Sequence, residues 1–84
     1  MAKLNPEELF NLGMQSYDKQ DFSKARKYFE KACELNYKFG CSWLGAMQYQ
    51  GKGVVKNEKQ AMKKFEKACK LGYKKACEML KELR

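Results

Sequence analysis

Four cysteines are the residues of this chain best suited to form covalent bonds, and they come as two pairs of equal spacing. Cys33 and Cys41 are eight positions apart, and so are Cys69 and Cys77. On one unbroken helix that separation spans roughly 12 Å, whereas a disulfide requires Cα atoms about 4.4–6.8 Å apart. If the pairs close, the chain between them must turn back on itself. Asn36 in one copy and Gly72 in the other are residue types that tolerate a left-handed helix stop. The expected unit is therefore helix, tight turn, helix, with a staple joining Cys33 to Cys41 and another joining Cys69 to Cys77. Two alternatives stay open from the residues alone: four buried free thiols packing as small apolar groups, or one zinc site sharing all four. Zinc sites of that kind use shorter spacings, C-x2-C among them, so the disulfides are favoured.

Other chemistry is sparse. The chain has no histidine, which removes Ser-His and Cys-His catalysis and the common catalytic zinc sets. Gly51-x-Gly53 is too short for a phosphate-cradling loop. One string has a catalytic form: Ser16-Tyr17-Asp18-Lys19 matches the S-x-x-K of serine penicillin-binding enzymes. No S-D-N or K-T-G partner accompanies it, and Ser16 falls on a helix-packing position, so no catalytic residue, metal or cofactor is assigned.

The elements that must hold these residues are legible from repetition. Residues 27–44 (KYFEKACELNYKFGCSWL) and 63–80 (KKFEKACKLGYKKACEML) agree at 11 of 18 positions when offset by 36, which makes this a repeat protein. Asn5-Pro6-Glu7-Glu8 reads as a helix start, with a cap, a proline at the first helical position and carboxylates at the positive end of the helix dipole. Leu9, Leu12, Gly13 and Ser16 then share a face, Gly13 being small enough for close helix approach. Asp21 or Ser23 caps a second helix whose inner face is Phe22, Ala25, Phe29, Ala32, Cys33 and Leu35. A turn over Asn36–Gly40 leads to a third helix, with Cys41, Trp43, Leu44, Gly45, Met47 and Gln48, ending at Gln50. The loop from Gly51 to Lys56 should dock its valines on the core. Asn57 and Gln60 resemble a capping box for a fourth helix facing inward through Ala61, Phe65, Ala68, Cys69 and Leu71. Gly72 stops it, and a last helix from about Lys74 carries Cys77, Leu80 and Leu83.

At 84 residues this is one small domain, of a size at which extra staples are common. Each disulfide, closing a nine-residue loop, should contribute about 2–3 kcal/mol in the chain-entropy model. Disulfides at this density point to an oxidising compartment, secreted or periplasmic, and reduced thiols would point to the cytoplasm. Met1–Phe10 lacks the apolar run of a leader, and no segment is apolar for long enough to span a membrane. The net charge of +8 sits mostly in the second half: residues 1–42 hold seven basic and six acidic groups, residues 43–84 eleven and four. Lys56, Lys59, Lys63, Lys64, Lys67, Lys70, Lys74 and Lys75 could meet phosphates. They are not interleaved with stacking aromatics, and helical spacing scatters several over an outer face, so a solvated surface is favoured over nucleic acid.

The segment WLGAMQYQGKGVVKNEKQAMKKFEKACKLGYKKAC, residues 43–77, resembles the Sel-one-like repeat, a relative of the tetratricopeptide repeat. With its C-x7-C pairs the chain resembles more narrowly the Helicobacter cysteine-rich proteins. Repeat one departs from that pattern: Gly13 to Ala25 is 12 residues, against 16 from Gly45 to Ala61, so the G-x-G-V insertion is missing and LFNLGMQSYDKQDFSKA reads as a plain tetratricopeptide motif. The resemblance implies an all-α, right-handed α/α superhelix: repeat one over residues 5–37, repeat two over 38–72 and a capping helix over 73–84, all within one domain, 1–84. It also implies a concave groove lined by the first helix of each pair. The matching positions are Phe10, Met14, Tyr17 and Asp18 in repeat one and Ser42, Ala46, Tyr49 and Gln50 in repeat two. The expected function is non-enzymatic binding of a protein or peptide, by a monomer or a piece of a longer array from a secreted or periplasmic bacterial protein. The weak penicillin binding and hydrolysis known in the cysteine-rich branch is the enzymatic alternative, and a shortened or idealised repeat with no ligand is a third.

Overall fold

The computed structural model describes residues 4–83; the Met1–Lys3 and Arg84 ends of the expected domain lie outside them. The described residues form five helices and no strand: α1 (Pro6–Asp18), α2 (Phe22–Glu34), α3 (Lys38–Gln50), α4 (Glu58–Lys70) and α5 (Lys74–Leu83). None is long and apolar enough to cross a membrane. Each helix packs mainly on its neighbours in sequence, as in a solenoid whose turns are too short for anything but antiparallel pairs. The body is elongated, 42 × 25 × 17 Å.

Local signals set the helix ends. At the start of α1 the Asn5 side chain accepts from the Glu8 amide at 2.8 Å while the Asn5 amide donates to Glu8 Oε1 at 3.3 Å, a full capping box with Pro6 at the first helical position. Asp21, rather than Ser23, caps α2 through the Lys24 amide. The Asn57 side chain accepts from the Gln60 amide at 3.1 Å to open α4. Left-handed backbone after α2 and α4 falls where expected, at Asn36 (φ 65°) and Gly72 (φ 101°). Gln20 (φ 63°) adopts it between α1 and α2, where no glycine or asparagine marked the turn.

The core is a repeated design of alanine and phenylalanine. Ala25, Phe29 and Ala32 in α2 and Ala61, Phe65 and Ala68 in α4 are fully buried, with Leu44, Met47 and Cys41 of α3 between them. The Phe29 ring lies against the backbone of Gly13, and the Phe65 ring against that of Gly45. Both glycines thus serve the close helix approach foreseen for Gly13.

Three expectations need correction. The turn after α2 is shorter than Asn36–Gly40, because α3 already begins at Lys38 and includes Gly40. A Cβ on Gly40 would lie 2.7 Å from the Ala32 Cβ and 3.2 Å from the Cys33 nitrogen and the Phe29 carbonyl oxygen. That glycine permits helix contact; it does not break the helix. Leu35 is 53% exposed, since it is the C-cap of α2 and has rotated off the inner face. Val55 is 86% exposed, so only Val54 of the loop valines is partly covered.

Disulfides join Cys33 to Cys41 and Cys69 to Cys77, with Cα separations of 4.5 and 4.8 Å. No free cysteine remains. The buried-thiol and shared-zinc alternatives are thereby set aside. Each staple ties the end of one helix to the start of the next.

Candidate functional site

Tyr17, near the C-terminal end of α1, meets Trp43 of α3 edge-on at 5.2 Å, and Trp43 in turn lies 5.8 Å from the ring of Phe29. A stack of aromatic rings therefore fixes where α3 crosses α1. Beside Trp43 the α3 face carries Ser42 and, one turn on, Ala46, whose small side chains leave space. The result is an open hollow of about 320 Å³. Tyr17, Ser42, Trp43, Ala46, Met47 and Gln50 form one side, while Tyr73, Lys75 and Met79, from the turn before α5 and from α5 itself, form the other.

The loop between α3 and α4 reaches this hollow through Tyr17. Gly51 (φ 75°) ends α3 in the left-handed conformation, and the Asn57 amide bonds the Gln48 carbonyl at 2.9 Å, returning the loop to its own helix. Between these anchors Gly53 (φ 68°) sits against the start of α2, where a Cβ would stand 2.5 Å from the carbonyl carbon and oxygen of Phe22. Arg26 Nε donates to the Gly53 carbonyl at 3.2 Å, and the same guanidinium pairs with Glu30 at 2.9 Å. Lys52, held between the two glycines, donates from Nζ to the Tyr17 hydroxyl at 3.0 Å and lies 5.3 Å above the Tyr17 ring and 5.4 Å above that of Phe22. The insertion that repeat one lacks is what clamps repeat two onto repeat one.

Of the eight groove positions expected from the sequence, Tyr17, Ser42, Ala46 and Gln50 line this hollow. Phe10 lies further along α1, within 5.5 Å of Phe29 and Tyr37 and 6.2 Å of Phe39. Met14 is half-buried against the core. Tyr49 packs there too, with Lys56 Nζ 5.9 Å from its ring centre, and Asp18 is exposed at the helix end. From the sequence, Trp43 is placed on the third helix and Lys75 in the lysine cluster, and Tyr73 and Met79 have no groove role. A usable signal was present: the 36-residue offset maps Tyr37, Phe39 and Trp43 onto Tyr73, Lys75 and Met79, marking α5 as the next groove helix.

Two further hollows lie elsewhere on the surface. Ser16 and Lys19 do line one hollow, of about 100 Å³, together with Asp21, Lys24 and Tyr28. Ser16 is only 7% exposed, and its backbone carbonyl accepts from the Asp21 amide. Between α2, α3 and α4 a further hollow of about 290 Å³ contains Glu30, Glu34, Gln48, Lys64 and Lys67. There Lys67 Nζ bonds the Cys33 carbonyl at 2.9 Å, closing the end of α2.

Helix pairs stacked in series, with a hollow between the first helices of successive pairs, define an α-helical repeat protein of the solenoid type. Residues 6–39 match the tetratricopeptide repeat and residues 39–73 the Sel1 repeat, and the chain belongs to this family of Sel1-like, tetratricopeptide-type repeat proteins. It is similar to the cysteine-rich proteins of Helicobacter pylori. The solved structure of cysteine rich protein B superposes with a TM-score of 0.83 at 50% identity, covering 89% of this chain and 59% of that one. HcpC of strain J99 is 55% identical over 60 residues, 71% of this chain and 21% of HcpC. Beta-lactamase HcpA of the same strain is 52% identical over 62 residues, 74% of this chain and 25% of HcpA. The chain thus spans about a quarter or less of these two relatives. The plain tetratricopeptide character expected of repeat one and the Sel-one-like character of repeat two both agree with the family matches.

Proposed function

We propose that this repeat module binds an extended peptide, or a short helix, of a partner protein in the hollow between α1, α3 and α5, and catalyses no reaction on it. The observation that carries this reading is the lining: Trp43, Tyr17, Tyr73, Met47 and Met79 around the small Ser42 and Ala46. Aromatic and methionine side chains offer large, adaptable contact area, and the volume of about 320 Å³ accommodates an anchoring side chain with the peptide backbone running across the rim. The Sel1 and tetratricopeptide family supports a protein-interaction role. Selection from a random peptide display library tests it. Enrichment is expected on the parent protein and not on Ala46→Arg, whose long side chain would occupy the hollow from a half-exposed helix position while near-UV circular dichroism stays unchanged. No enrichment on the parent, or equal enrichment on both, overturns the proposal.

The enzymatic alternative has two supports: beta-lactamase in the name of HcpA, and the shared hollow of Ser16 and Lys19. Against it stand the burial of Ser16 and the lack of partner motifs. Absence of nitrocefin turnover by the parent removes it, and turnover retained in Ser16→Ala excludes Ser16 as nucleophile. Two disulfides in so small a domain fit a secreted or periplasmic location, which mass mapping of the cysteines in protein taken from its native cells would check.

A further inference from the structure

The peptide reading leaves the chemistry of the ligand open, and the charges around the hollow narrow it. Its lining contains one cation, Lys75, and no carboxylate. A second cation adjoins the lining: Lys52 lies outside it but donates one of its three N–H groups to the hydroxyl of Tyr17, itself a lining residue. The ion pairs Arg26 with Glu30 and Lys56 with Glu58 involve neither Lys52 nor Lys75. Asp18, next to Tyr17 in sequence, is exposed and outside the lining.

We infer that the hollow recognises an acidic peptide, one apolar side chain entering between Trp43 and Met79 while flanking carboxylates meet Lys52 and Lys75. This rests on the peptide-binding reading and adds the ligand class and a specificity residue. Lys52 belongs to the loop insertion of repeat two, yet it acts across the repeat junction on a residue of repeat one, so selectivity is built where two repeats meet. The apolar floor supplies contact area common to many peptides. The two ammonium groups supply the discrimination, since complementary charge at a rim selects partners more than it adds affinity.

The test separates this inference from its parent reading and from the overall charge of +8. Display selection is run on the parent, on the double variant Lys52→Glu/Lys75→Glu, and on Lys59→Glu/Lys63→Glu, which carries the same net charge with both changes on exposed positions of α4 outside the hollow. Peptides enriched on the parent and on the α4 variant are expected to show a surplus of Asp and Glu beside an apolar residue, and those enriched on the first double variant a surplus of Lys and Arg. The neutral pair Lys52→Gln/Lys75→Gln, which keeps the side-chain stems, should weaken a selected acidic peptide by about 5- to 30-fold and remove the preference even if the glutamate variant fails to fold. Enrichment on the parent without an acidic surplus overturns the inference and leaves peptide binding standing. An equal loss of surplus in the α4 variant overturns it in favour of bulk attraction. No enrichment at all overturns both.

Discussion

Single residues in this protein are constrained most tightly where helices touch without side chains between them. Gly40 is the sharpest case, because the atoms a methyl group would meet include the backbone of Phe29 and Cys33, which a disulfide and a helix hold in place. Gly40→Ala is expected to cost about 1–3 kcal/mol by overpacking, read as a lower urea midpoint at unchanged m-value; an unchanged midpoint would show that α2 and α3 can separate freely. Tyr37 is constrained electrically. Burial beside Phe10 and Phe39, and secondarily the charge of Glu7, raise its phenol above the ordinary value of 10.0. The neutral phenol is the form the fold prefers, so its contribution is fully present below pH 10 and is lost as pH rises through the folded-state value. Tyr37→Phe should therefore flatten the decline in thermal stability above pH 10 relative to the parent, and parallel pH profiles would refute the assignment.

At the scale of elements, the α3–α4 loop is the part whose role goes beyond connection. Its glycines allow it to lie on the first turn of α2, its carbonyl takes a bond from Arg26, and its lysine reaches α1. Gly53→Ala meets both a left-handed φ and a steric conflict with the Phe22 backbone, so the loop must lift away. The expected cost is about 1–3 kcal/mol. Hydrogen exchange should accelerate from residue 51 to 57 and in the first turn of α2, and a variant with unchanged exchange there would mean that the loop contributes no clamp. Gly53→Ala should also bind selected peptides more weakly, because Lys52 would leave Tyr17.

Across the whole molecule the two staples are alike in sequence and unlike in setting. Cys33 and Cys41 are buried, 3% and 0% exposed, beneath both repeats. Cys69 and Cys77, joining α4 to α5, are each partly exposed. A reductant reaches an exposed sulfur without prior opening of the fold. Timed reduction, acid quench and alkylation should thus show Cys69–Cys77 opening first, with α5 loosening before the rest. The reverse order would place the weak point of the solenoid at its centre. Because α5 and the turn before it supply Tyr73, Lys75 and Met79 to the hollow, opening of the Cys69–Cys77 bridge should also reduce peptide binding while repeat one stays folded.

What the amino-acid sequence determined by itself is whatever depends on neighbours within about ten residues. The helix start at Asn5, the stops at Asn36 and Gly72, the alternation of small and aromatic residues in α2 and α4, and both cysteine pairings were legible because each is a local relation; the full capping box formed at Asn5, whereas at Asn57, where one was expected, only the Asn57 side chain caps the helix. Four of the nine residues around the hollow, Tyr17, Ser42, Ala46 and Gln50, were legible for the same reason, as repeat positions. The tertiary structure alone decided the rest. Lys52 meets Tyr17 across 35 residues, Arg26 meets Gly53 across 27 and Lys67 meets Cys33 across 34, and such contacts follow from how one helix pair crosses the next. Those packings rest on the fit of Phe29 on Gly13 within the first pair and of Ala32 on Gly40 between α2 and α3, a matter of packed volumes that no periodicity in the chain expresses.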